Sequence, residues 1–501
     1  MLILSVHIGH DSSICIFNDG EIQKYFLLER FTRKKHDCGT EPEKVILKLI
    51  NTISNKFSVD ILCISNFNTP DELVTKIFEK CKKYNPNVKL VMQSNHHLNH
   101  ASLAFYNSGF DESIVVVVDG VGSTIKDNLV EVESGFLFDQ EKIALIYKNI
   151  VEESSYGVGG LYDIAAILIG NTPDDCGKAM GLSSYGSSNK LFKNLLLKKQ
   201  WDIDPIKKVE LNNYKLHADF CYEVQQQTQK TVGDLIQNLI EKTGVKNVCI
   251  SGGYGMNIVA NYYYLQRFSD IKFYFEPLCS DSGVSIGAAI NSYTQLVNKI
   301  PNRILTTFFH GLHYNISSYK GVTTSIKDIA NLLYQDKSVA VYTGLAEAGQ
   351  RALGNRSILF NALNPDAKDL VNQIKKREWY RPFACMVLEE DASIYFDMGE
   401  IESSRFMTIC FPVRPEYVKI IPGVTHVDNT CRIQTIPKTD DYLYKLIQEF
   451  KNISGHGILL NTSFNLAGEP LVETPEDAFS TFNNSSLDYL WFEETQQLFN
   501  K

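Results

Sequence analysis

Residues 1–28 have the sequence MLILSVHIGHDSSICIFNDGEIQKYFLL, and this stretch decides the fold of the first half of the chain. Two apolar runs, Leu2 to Ile8 and Ile14 to Phe17, flank the polar turn His10-Asp11-Ser12-Ser13. Asn18-Asp19-Gly20 then gives a hairpin signal before a third run, Glu21 to Leu28. The pattern predicts a strand, a polar turn, a second strand and a hairpin into a third.

A similar unit recurs about a hundred residues later. Ser113 to Val118 is strand-like, Asp119-Gly120-Val121-Gly122 is a polar turn, and Leu129 to Phe138 is again strand-like. A repeated strand, polar turn and strand is the layout of the actin, sugar kinase and Hsp70 ATPase fold. Further along, a helical stretch from Asp219 to Lys242 precedes a strand, Asn247 to Ile250, that leads into Ser251-Gly252-Gly253. Such strand–glycine turns present backbone N–H groups to anions.

Residues 299–319 lack clean periodicity and are interpreted as a connector. After it, strands and helices alternate again, which predicts an α/β protein of two domains at 1–300 and 320–501. The segments that show this alternation are Ser338 to Tyr342, Ala367 to Lys375, Tyr442 to Lys451 and Gly457 to Leu460.

The composition favours an ordinary globular enzyme. Of 501 residues, 44% are hydrophobic and 21% are charged, and no apolar run approaches the ~20 residues that span a bilayer. The start lacks a basic leader and a small-residue cleavage site, so we expect no signal peptide. Eleven scattered cysteines indicate reduced thiols in a cytoplasm. A net charge of −9 argues against a general nucleic-acid binder and leaves room for a local basic groove.

Asn95-His96-His97-Leu98-Asn99-His100-Ala101 is a candidate metal site. Residues four apart lie on one helical face, so His96 and His100 can present two imidazoles to one ion, and Asn95 is a candidate N-cap. Asp119 and Asp281 each follow an apolar stretch, where functional carboxylates are common. The alternatives are capping or core histidines and solvated aspartates in turns.

Four segments in the last third carry cations beside open backbone. Arginine forks match phosphate and carboxylate oxygens, and glycine permits close approach of the backbone, so these segments favour a polyanion cradle over ordinary surface ion pairs. The segments are Ala348-Gly349-Gln350-Arg351-Ala352-Leu353-Gly354-Asn355-Arg356-Ser357, Lys375 to Phe383, His426 to Thr435, and Leu459 to Asn465 with Gly468-Glu469-Pro470.

Together these four segments resemble the carboxy-terminal half of the nodulation, tobramycin and cephem O-carbamoyltransferases, and the resemblance covers nearly the whole chain. It implies an amino-terminal actin/sugar-kinase/Hsp70-like domain, similar to the tRNA threonylcarbamoyl transferase, and a carboxy-terminal YrdC-like domain. It also implies one metal ion, iron(II), held by His96, His100, Asp119 and Asp281. The ligand types alone suit iron(II), manganese or zinc equally. His97 lies off the i, i+4 pair and is expected to be a neighbour.

The same resemblance assigns residues of the first domain to nucleotide and proton transfer. His10-Asp11-Ser12 matches the family's His-Asp-Ser/Ala signature, so His10 is nominated as the general base, with Asp11 beside it in the catalytic pair. Single glycines are more often turn or packing positions. The segments that resemble adenylate contacts supply Lys178, Gly181, Gly252, Gly253, Asn257 and Gly283.

In the second domain the resemblance implies that carbamoyl phosphate yields carbamate, which attacks ATP to give carbamoyladenylate and pyrophosphate. Mg²⁺ is expected with ATP. Lys376 and Arg377 are interpreted as a solvated helix face. The residues expected around these ligands are Arg351, Arg356, Ser357, Lys375, Arg381, Arg432, Asn461, Ser463 and Asn465.

Two positions depart from the family pattern. Ala348-Gly349-Gln350 stands where the family usually has Phe-Gly-Pro, and Asn429 stands where Gly is common. Both lie beside proposed ligands, so the departures bear on the local loop geometry.

The overall expectation is an ATP-dependent O-carbamoyltransferase that acts on an acceptor hydroxyl. Net charge favours a small natural-product molecule as acceptor over hydroxymethylated pyrimidine in DNA, and a membrane partner is not expected; an oligomer is compatible with the sequence. The alternatives are a tRNA threonylcarbamoylation enzyme and a non-catalytic nucleotide-sensing module. The tyrosines at 254 and 262–264 fit either an acceptor pocket or core packing.

Overall fold

The computed structural model describes residues 1–37, 40–54, 57–65, 71–126, 128–152, 157–195, 213–301, 303–305 and 307–501. The chain forms two compact units, Met1–Phe308 and Phe309–Lys501. Both units combine helices with β-sheets, so the predicted α/β fold class is confirmed.

The first unit contains two sheets and a set of helices. Its strands are β1 Leu2–His7, β2 Ser13–Asn18, β3 Glu21–Leu27, β4 Ile61–Ser65, β5 Lys89–Met92, β6 Glu112–Val118, β7 Thr124–Lys126, β8 Leu129–Asp139, β9 Ile143–Glu152, β10 Asn247–Ser251 and β11 Lys272–Phe275. Its helices are α1 Glu29–Thr32, α2 Thr40–Ser54, α3 Asp71–Tyr84, α4 His96–Ser108, α5 Val158–Leu168, α6 Cys176–Ser183, α7 Tyr214–Thr243, α8 Ile258–Arg267 and α9 Val284–Val297.

Five strands of each sheet share one topology, and the second sheet has in addition the short β7, which pairs with β8. The first has the order β3-β2-β1-β4-β5, in which β1 pairs antiparallel with β2 and parallel with β4. In the second, β6 takes the place of β1, pairing antiparallel with β8 and parallel with β10, while β9 and β11 extend the two sides. The internal repeat predicted from residues 2–28 and 113–138 is therefore confirmed.

Two helices fill the space between these sheets. α9 packs against β1, β2 and β4, whereas α4 packs against β6 and β10, and the two helices contact each other. β6 is buried along Val115 to Val118, as a strand covered on both faces should be. Helix α4 is almost completely buried from His97 to Asn107, so its position is fixed by packing on all sides.

The second unit is built on one nine-stranded sheet, with the order β12-β20-β19-β13-β14-β18-β15-β17-β16. The strands are β12 Val322–Thr323, β13 Val339–Tyr342, β14 Arg356–Asn361, β15 Ala384–Leu388, β16 Cys410–Pro412, β17 Thr430–Ile436, β18 Ile458–Ser463, β19 Tyr489–Phe492 and β20 Gln497–Asn500. The helices are α10 Ile326–Tyr334, α11 Ala367–Lys375, α12 Ala392–Tyr395, α13 Asp441–Ser454 and α14 Pro475–Asn483.

Both faces of this sheet are covered, and β13 shows how. Val339 and Val341 belong to the core on the α10 and α13 side, whereas Ala340 and Tyr342 belong to the core on the α14 side. This alternation follows from the two-residue period of a strand.

Other sequence-based expectations have clear outcomes. Tyr254 and Tyr264 are buried, so core packing is the correct interpretation for these two. All ten described cysteines are free thiols, and nine of them are buried. Among the described residues we find no helix whose length and hydropathy would carry it across a bilayer.

The contact between α4 and α9 leads to a stability prediction. A Cβ at Gly287 would lie 1.9 Å from the carbonyl oxygen of Asn99, so Gly287→Ala must force the two helices apart. We expect a loss of about 1–3 kcal/mol in the free energy of unfolding, measured by urea denaturation. Gly177→Ala in α6 is the matched control, because a Cβ there meets no atom of the described residues outside its own helix within 4 Å. Equal denaturation midpoints for the two variants would contradict the prediction.

Candidate metal centre and anion-binding cluster

The amino-terminal site begins at the start of α4. The Asn95 side chain accepts a hydrogen bond from the Leu98 N–H at 3.1 Å, so the predicted N-cap is confirmed. With the helix fixed to begin at His96, one turn separates the imidazoles of His96 and His100, and their Nε2 atoms lie 3.0 Å apart. His97 points elsewhere, with its Nδ1 2.9 Å from the Ser134 hydroxyl, as expected of a neighbour.

Two carboxylates complete this cluster. Asp119 follows β6, and its Oδ2 lies 3.0 Å from His96 Nε2 and 3.5 Å from His100 Nε2. Asp281 begins a short 3-10 turn ahead of α9, and its Oδ1 lies 3.3 Å from His96 Nε2 and 3.5 Å from His100 Nε2. One donor atom from each of the four side chains therefore lies within 4.8 Å of the others.

The donor set fits a divalent metal ion. Ligand atoms about 2.1 Å from one ion are separated from each other by about 3 Å, which is the spacing seen here. Although burial opposes charge, the Asp281 and Asp119 carboxylates raise the pKa of His96 well above its usual value, and hydrogen bonds to Asp119 and Asp281 also raise the pKa of His100. Burial also opposes ionisation of Asp281, yet the imidazoles hold its pKa well below its usual value. Two carboxylates compensated by two imidazoles form a site in which a cation can replace protons.

Glycines at the end of β10 hold Asp119 in place. Gly252 has φ +83, and a Cβ on it would lie 2.3 Å from the Val118 carbonyl oxygen, so only glycine fits. The N–H groups of Gly120 and Gly253 point to Asp119 Oδ1 at 2.9 and 3.3 Å. Gly252 and Gly253, which the sequence assigns to nucleotide binding, therefore contact the metal-ligand segment in this structure.

The remaining candidates of the first unit lie in buried or hydrogen-bonded positions. Lys178 Nζ donates to Asn171 Oδ1 at 2.8 Å, and Gly181 is buried in α6. Asn257 caps α8, and its Nδ2 donates to the Tyr162 hydroxyl at 2.9 Å. A Cβ on Gly283 would lie 2.2 Å from the Leu278 carbonyl oxygen, so this glycine is required by packing. Their assignment to adenylate remains a proposal based on the family resemblance.

His10 and Asp11 lie in the turn after β1, as the sequence predicts, and a third residue joins them. His36 Nδ1 lies 2.6 Å from Asp11 Oδ1. The rings of His10 and His36 are stacked, with centroids 4.8 Å apart and planes 13° apart. His36 lies 25 residues from Asp11 in the sequence and belongs to no spacing pattern, so the sequence analysis missed it.

In the second unit, four guanidinium groups influence one another. Arg432 is at the start of β17, where it pairs with Ala384 of β15. Burial lowers the pKa of Arg432 well below its usual range, and Arg351, Arg377 and Arg381 lower it further. Its buried Nε has no hydrogen-bond partner among the described residues. The ion pairs of this cluster include one carboxylate, that of Glu378, 3.5 Å from Arg381. Four guanidinium groups concentrated in this way indicate an anion-binding site.

Arg377 corrects an expectation. The sequence places it on a solvated helix face, but α11 ends at Lys375 and the Arg377 guanidinium lies over the Phe383 ring, 4.2 Å from its centroid. Its Nε donates to Asn372 Oδ1 at 2.6 Å. Burial and the Arg381 charge lower the pKa of Arg377 well below its usual range. The interpretation of Lys376 as solvated is correct, since that residue is exposed.

Polar groups of β18 line the same part of the sheet. Asn461 pairs with Ala384, as Arg432 does, so both side chains lie on one face. Asn461 Nδ2 donates to the Ala352 carbonyl at 2.9 Å, and its buried Oδ1 has no partner within the described ranges. Lys375 Nζ donates to the carbonyl and hydroxyl of Ser463 and to Asn465 Oδ1.

The loop before β14 is held by two buried charged groups. Glu347 Oε1 accepts hydrogen bonds from the N–H groups of Leu353, Asn355 and Arg356, and sequence reasoning missed this residue. The Arg356 guanidinium is completely buried, lies 3.7 Å from the Tyr342 ring centroid, and donates to backbone carbonyls. Ser357 Oγ accepts from the Gly354 N–H at 3.1 Å. Arg356 and Ser357 therefore contact the loop itself in this structure, and their assignment to ligand contacts remains a proposal based on the family resemblance.

One departure from the family pattern has a physical explanation. Asn429 has φ +61, a left-handed conformation that glycine adopts freely and asparagine more readily than other residues. Asn429 can therefore replace glycine without changing the path of this loop. The structure offers no comparable explanation for Ala348-Gly349-Gln350.

Sequence comparison identifies related proteins. Residues 330–498 match the family "Carbamoyltransferase C-terminus", and residues 71–219 and 194–290 match "Carbamoyltransferase N-terminus". Nodulation protein NolO of Bradyrhizobium diazoefficiens is 31% identical over 79% of this chain and 77% of its own length. Nodulation protein NolNO of Sinorhizobium fredii is 28% identical over 96% of this chain and 78% of its own length.

Solved structures show weaker likeness. HypF from T. kodakarensis aligns with a TM-score of 0.41 and 12% identity over 59% of this chain and 48% of HypF. A full-length HypF in a phosphate- and nucleotide-bound form aligns with a TM-score of 0.39 and 14% identity over 59% of this chain and 56% of that HypF chain.

The metal cluster predicts proton-linked ion binding. Because the pKa values of His96 and His100 are raised, these imidazoles hold protons that an ion must displace. Affinity for Mn²⁺ should therefore fall as the pH is lowered from about 8 to about 6. Calorimetry in two buffers of different ionisation enthalpy should detect proton release. His100→Ala should lower the affinity for Mn²⁺ by more than about 100-fold. A loss of up to about 100-fold is what removal of a residue that only supports a metal ligand costs. The exposed His313→Ala is the control; equal loss in both variants would refute the ligand assignment.

The arginine cluster predicts a conflict between stability and anion binding. Arg432→Met removes a partly buried charge beside three like charges, so the free energy of unfolding should rise by about 1–3 kcal/mol. Pyrophosphate should raise the melting temperature of the unaltered protein but not that of R432M. Arg405→Gln, at a 47% exposed arginine 3.5 Å from Glu389, should change neither property. A destabilised R432M that still responds to pyrophosphate would show that Arg432 is structural.

Proposed function

The chain belongs to the carbamoyltransferase family, and we propose that it is an ATP-dependent O-carbamoyltransferase that works in two steps. The second unit makes carbamoyladenylate from carbamoyl phosphate and ATP. The first unit then transfers the carbamoyl group to an acceptor hydroxyl. The observation that carries the proposal is the concentration of guanidinium groups around Arg432, on the sheet face that also carries Asn461, whose buried Oδ1 has no partner among the residues that the structure describes.

The first step requires charge neutralisation and alignment. Water releases phosphate from carbamoyl phosphate, and the resulting carbamate oxygen attacks the α-phosphorus of ATP. The bond from that phosphorus to the bridging oxygen breaks, and pyrophosphate leaves. Such a reaction depends on cations placed where charge develops more than on covalent chemistry by the protein. Mg²⁺ bound with ATP would neutralise phosphate charge.

Four cationic groups of the second unit would act in that step. Arg351, Arg381 and Arg432 would contact phosphate oxygens as bidentate donors. Lys375 would extend this contact from the end of α11, next to the hydroxyl of Ser463. These cations favour a polyphosphate substrate.

Asn461 suits the carbamoyl group. Its amide nitrogen is engaged with the Ala352 carbonyl, so the orientation of the side chain is fixed and Oδ1 is left to accept a hydrogen bond. A carbamoyl NH₂ is a small donor that would satisfy this buried oxygen. Ser463 and Asn465 hold Lys375, so they act on the substrates through that ammonium group.

The second step depends on the turn after β1. His10 would take the proton from the acceptor hydroxyl as its oxygen attacks the carbamoyl carbon, and adenylate leaves as AMP. Asp11, Asp281 and Asp174 raise the pKa of His10 above its usual value although burial opposes this, so its imidazole is a stronger base than free histidine. A metal ion held by the four-residue cluster, iron(II) by the family resemblance, would supply Lewis-acid polarisation. The acceptor favoured by the net charge of −9 is a small molecule; hydroxymethylated pyrimidine in DNA is the alternative.

Separate assays of the two steps test this function. Protein with ATP, Mg²⁺, Fe²⁺ and carbamoyl phosphate should release pyrophosphate, and pooled hydroxyl acceptors should gain the mass of one carbamoyl group. R432M should lower pyrophosphate release by about 100-fold or more, since loss of one preorganised donor costs this much. His100→Ala should keep pyrophosphate release and lose carbamoyl transfer.

Other outcomes would overturn the proposal in specific ways. Pyrophosphate release with threonine and bicarbonate, but not with carbamoyl phosphate, would identify a threonylcarbamoylation enzyme. Binding of ATP without release of pyrophosphate would identify a nucleotide-sensing module.

A further inference from the structure

The His10–Asp11–His36 cluster contains one residue, His36, that has no role in the proposed reaction. It follows α1, in a segment separate from the β1 turn that carries the other two. Its Nδ1 lies 2.6 Å from Asp11 Oδ1, while Asp11 Oδ2 accepts a hydrogen bond from the Ser280 hydroxyl at 3.2 Å. Both oxygens of this buried carboxylate are therefore held.

The backbone has an unusual conformation on both sides of the contact between Asp11 and His36. Asp11 has φ +54 and His36 has φ +55, which is a costly conformation for residues other than glycine. Glu29, which is buried, accepts a hydrogen bond from the His36 N–H at 3.0 Å and so keeps the imidazole over the turn. Unfavourable backbone conformations maintained on both sides of one hydrogen bond point to a functional role for it.

A second metal ion is the first alternative for this cluster. One donor atom from each of the three side chains lies within 4.8 Å of the others. The two imidazole rings, however, are nearly parallel, and the lone pairs of a ring nitrogen lie in the plane of its ring. Lone pairs in parallel planes 4.8 Å apart do not converge on one ion, so stacking and hydrogen bonding fit the geometry better.

We propose that His36 is a positioning residue for proton transfer: by donating its Nδ1–H to Asp11 it keeps that carboxylate ionised beside His10, so that His10 accepts the proton of the acceptor hydroxyl. This inference rests on the proposed function. The acceptor oxygen forms a bond to the carbamoyl carbon, the carbon–oxygen bond to AMP breaks, and the hydroxyl proton passes to His10. Asp11 offsets the charge that His10 gains.

The electrostatics agree with this geometry. Burial opposes ionisation of Asp11, but the His36 hydrogen bond, followed by the charges of His36 and His10, lowers the pKa of Asp11. The Nε2 of His10 lies 3.0 Å from Asp174, while its Nδ1 lies 3.8 Å from Asp11, too far for a hydrogen bond. The titratable groups that face or influence His10 are Asp11, His36, Asp163, Asp174 and Asp281.

Two variants that both tolerate a positive φ test the role of the Nδ1 donor. His36→Gly removes the donor without backbone strain, and His36→Asn places an amide N–H close to the position of Nδ1. Without the donor, the pKa of Asp11 rises and its charge is partly lost, so the pKa of His10 should fall by about one unit in H36G. In H36N, the pKa of His10 should stay within about 0.3 unit of its value in the unaltered protein.

The pKa of His10 is measured by NMR titration of the intact protein, with the resonance assigned from His10→Gln. The acid limb of the pH profile of carbamoyl transfer should move to lower pH by the same amount in H36G and remain in place in H36N. A purely structural role would lower the rate without moving the profile. An unchanged His10 titration in H36G, or an H36N that titrates like H36G, would overturn the proposal.

Pyrophosphate release from ATP and carbamoyl phosphate separates this test from the test of the proposed function. It depends on the second unit and should be equal in the unaltered protein, H36G and H36N. If the unaltered protein neither releases pyrophosphate nor carbamoylates any acceptor, the proposed function fails. The NMR titration still decides whether His36 sets the pKa of His10.

Discussion

Close contact between backbone segments around the end of β6 is the constraint on which the amino-terminal site depends. A Cβ on Gly159 of α5 would lie 2.3 Å from the Asp119 carbonyl oxygen, and a Cβ on Gly252 would lie 2.3 Å from that of Val118. Three chain segments therefore meet where no side chain fits. This leaves Asp119 little freedom, and its carboxylate is aimed at the two imidazoles of α4 by backbone packing instead of by long side chains.

The second unit follows the opposite principle. Its cluster is held by a sheet whose register places Arg432 and Asn461 on either side of Ala384, and it brings three other guanidinium groups close enough to Arg432 to lower its pKa. Such an arrangement costs stability in the absence of an anion, and function is a common reason for a protein to retain it. Glu347, which accepts hydrogen bonds from three N–H groups of the neighbouring loop, keeps that loop in place.

Sequence reasoning succeeded where the pattern is local. The i, i+4 spacing of His96 and His100, the Asn95 cap and the repeated strand–turn–strand unit all depend on neighbours in sequence. It failed for His36 and Glu347 because their roles depend on backbone conformation and on partners that the fold brings close. It was wrong about Arg377 because helix α11 ends at Lys375, so Arg377 does not continue the helix face. The Arg377 guanidinium lies over the Phe383 ring instead.

The shared topology of the two sheets in the first unit has a consequence for how this site arose. β1 and β6 occupy equivalent central positions, and an aspartate follows each of them: Asp11 in one half and Asp119 in the other. A single ancestral turn, copied when the half was duplicated, would explain both. The two equivalent turns now present their carboxylates to different imidazoles, Asp11 to His36 in one half and Asp119 to His96 in the other.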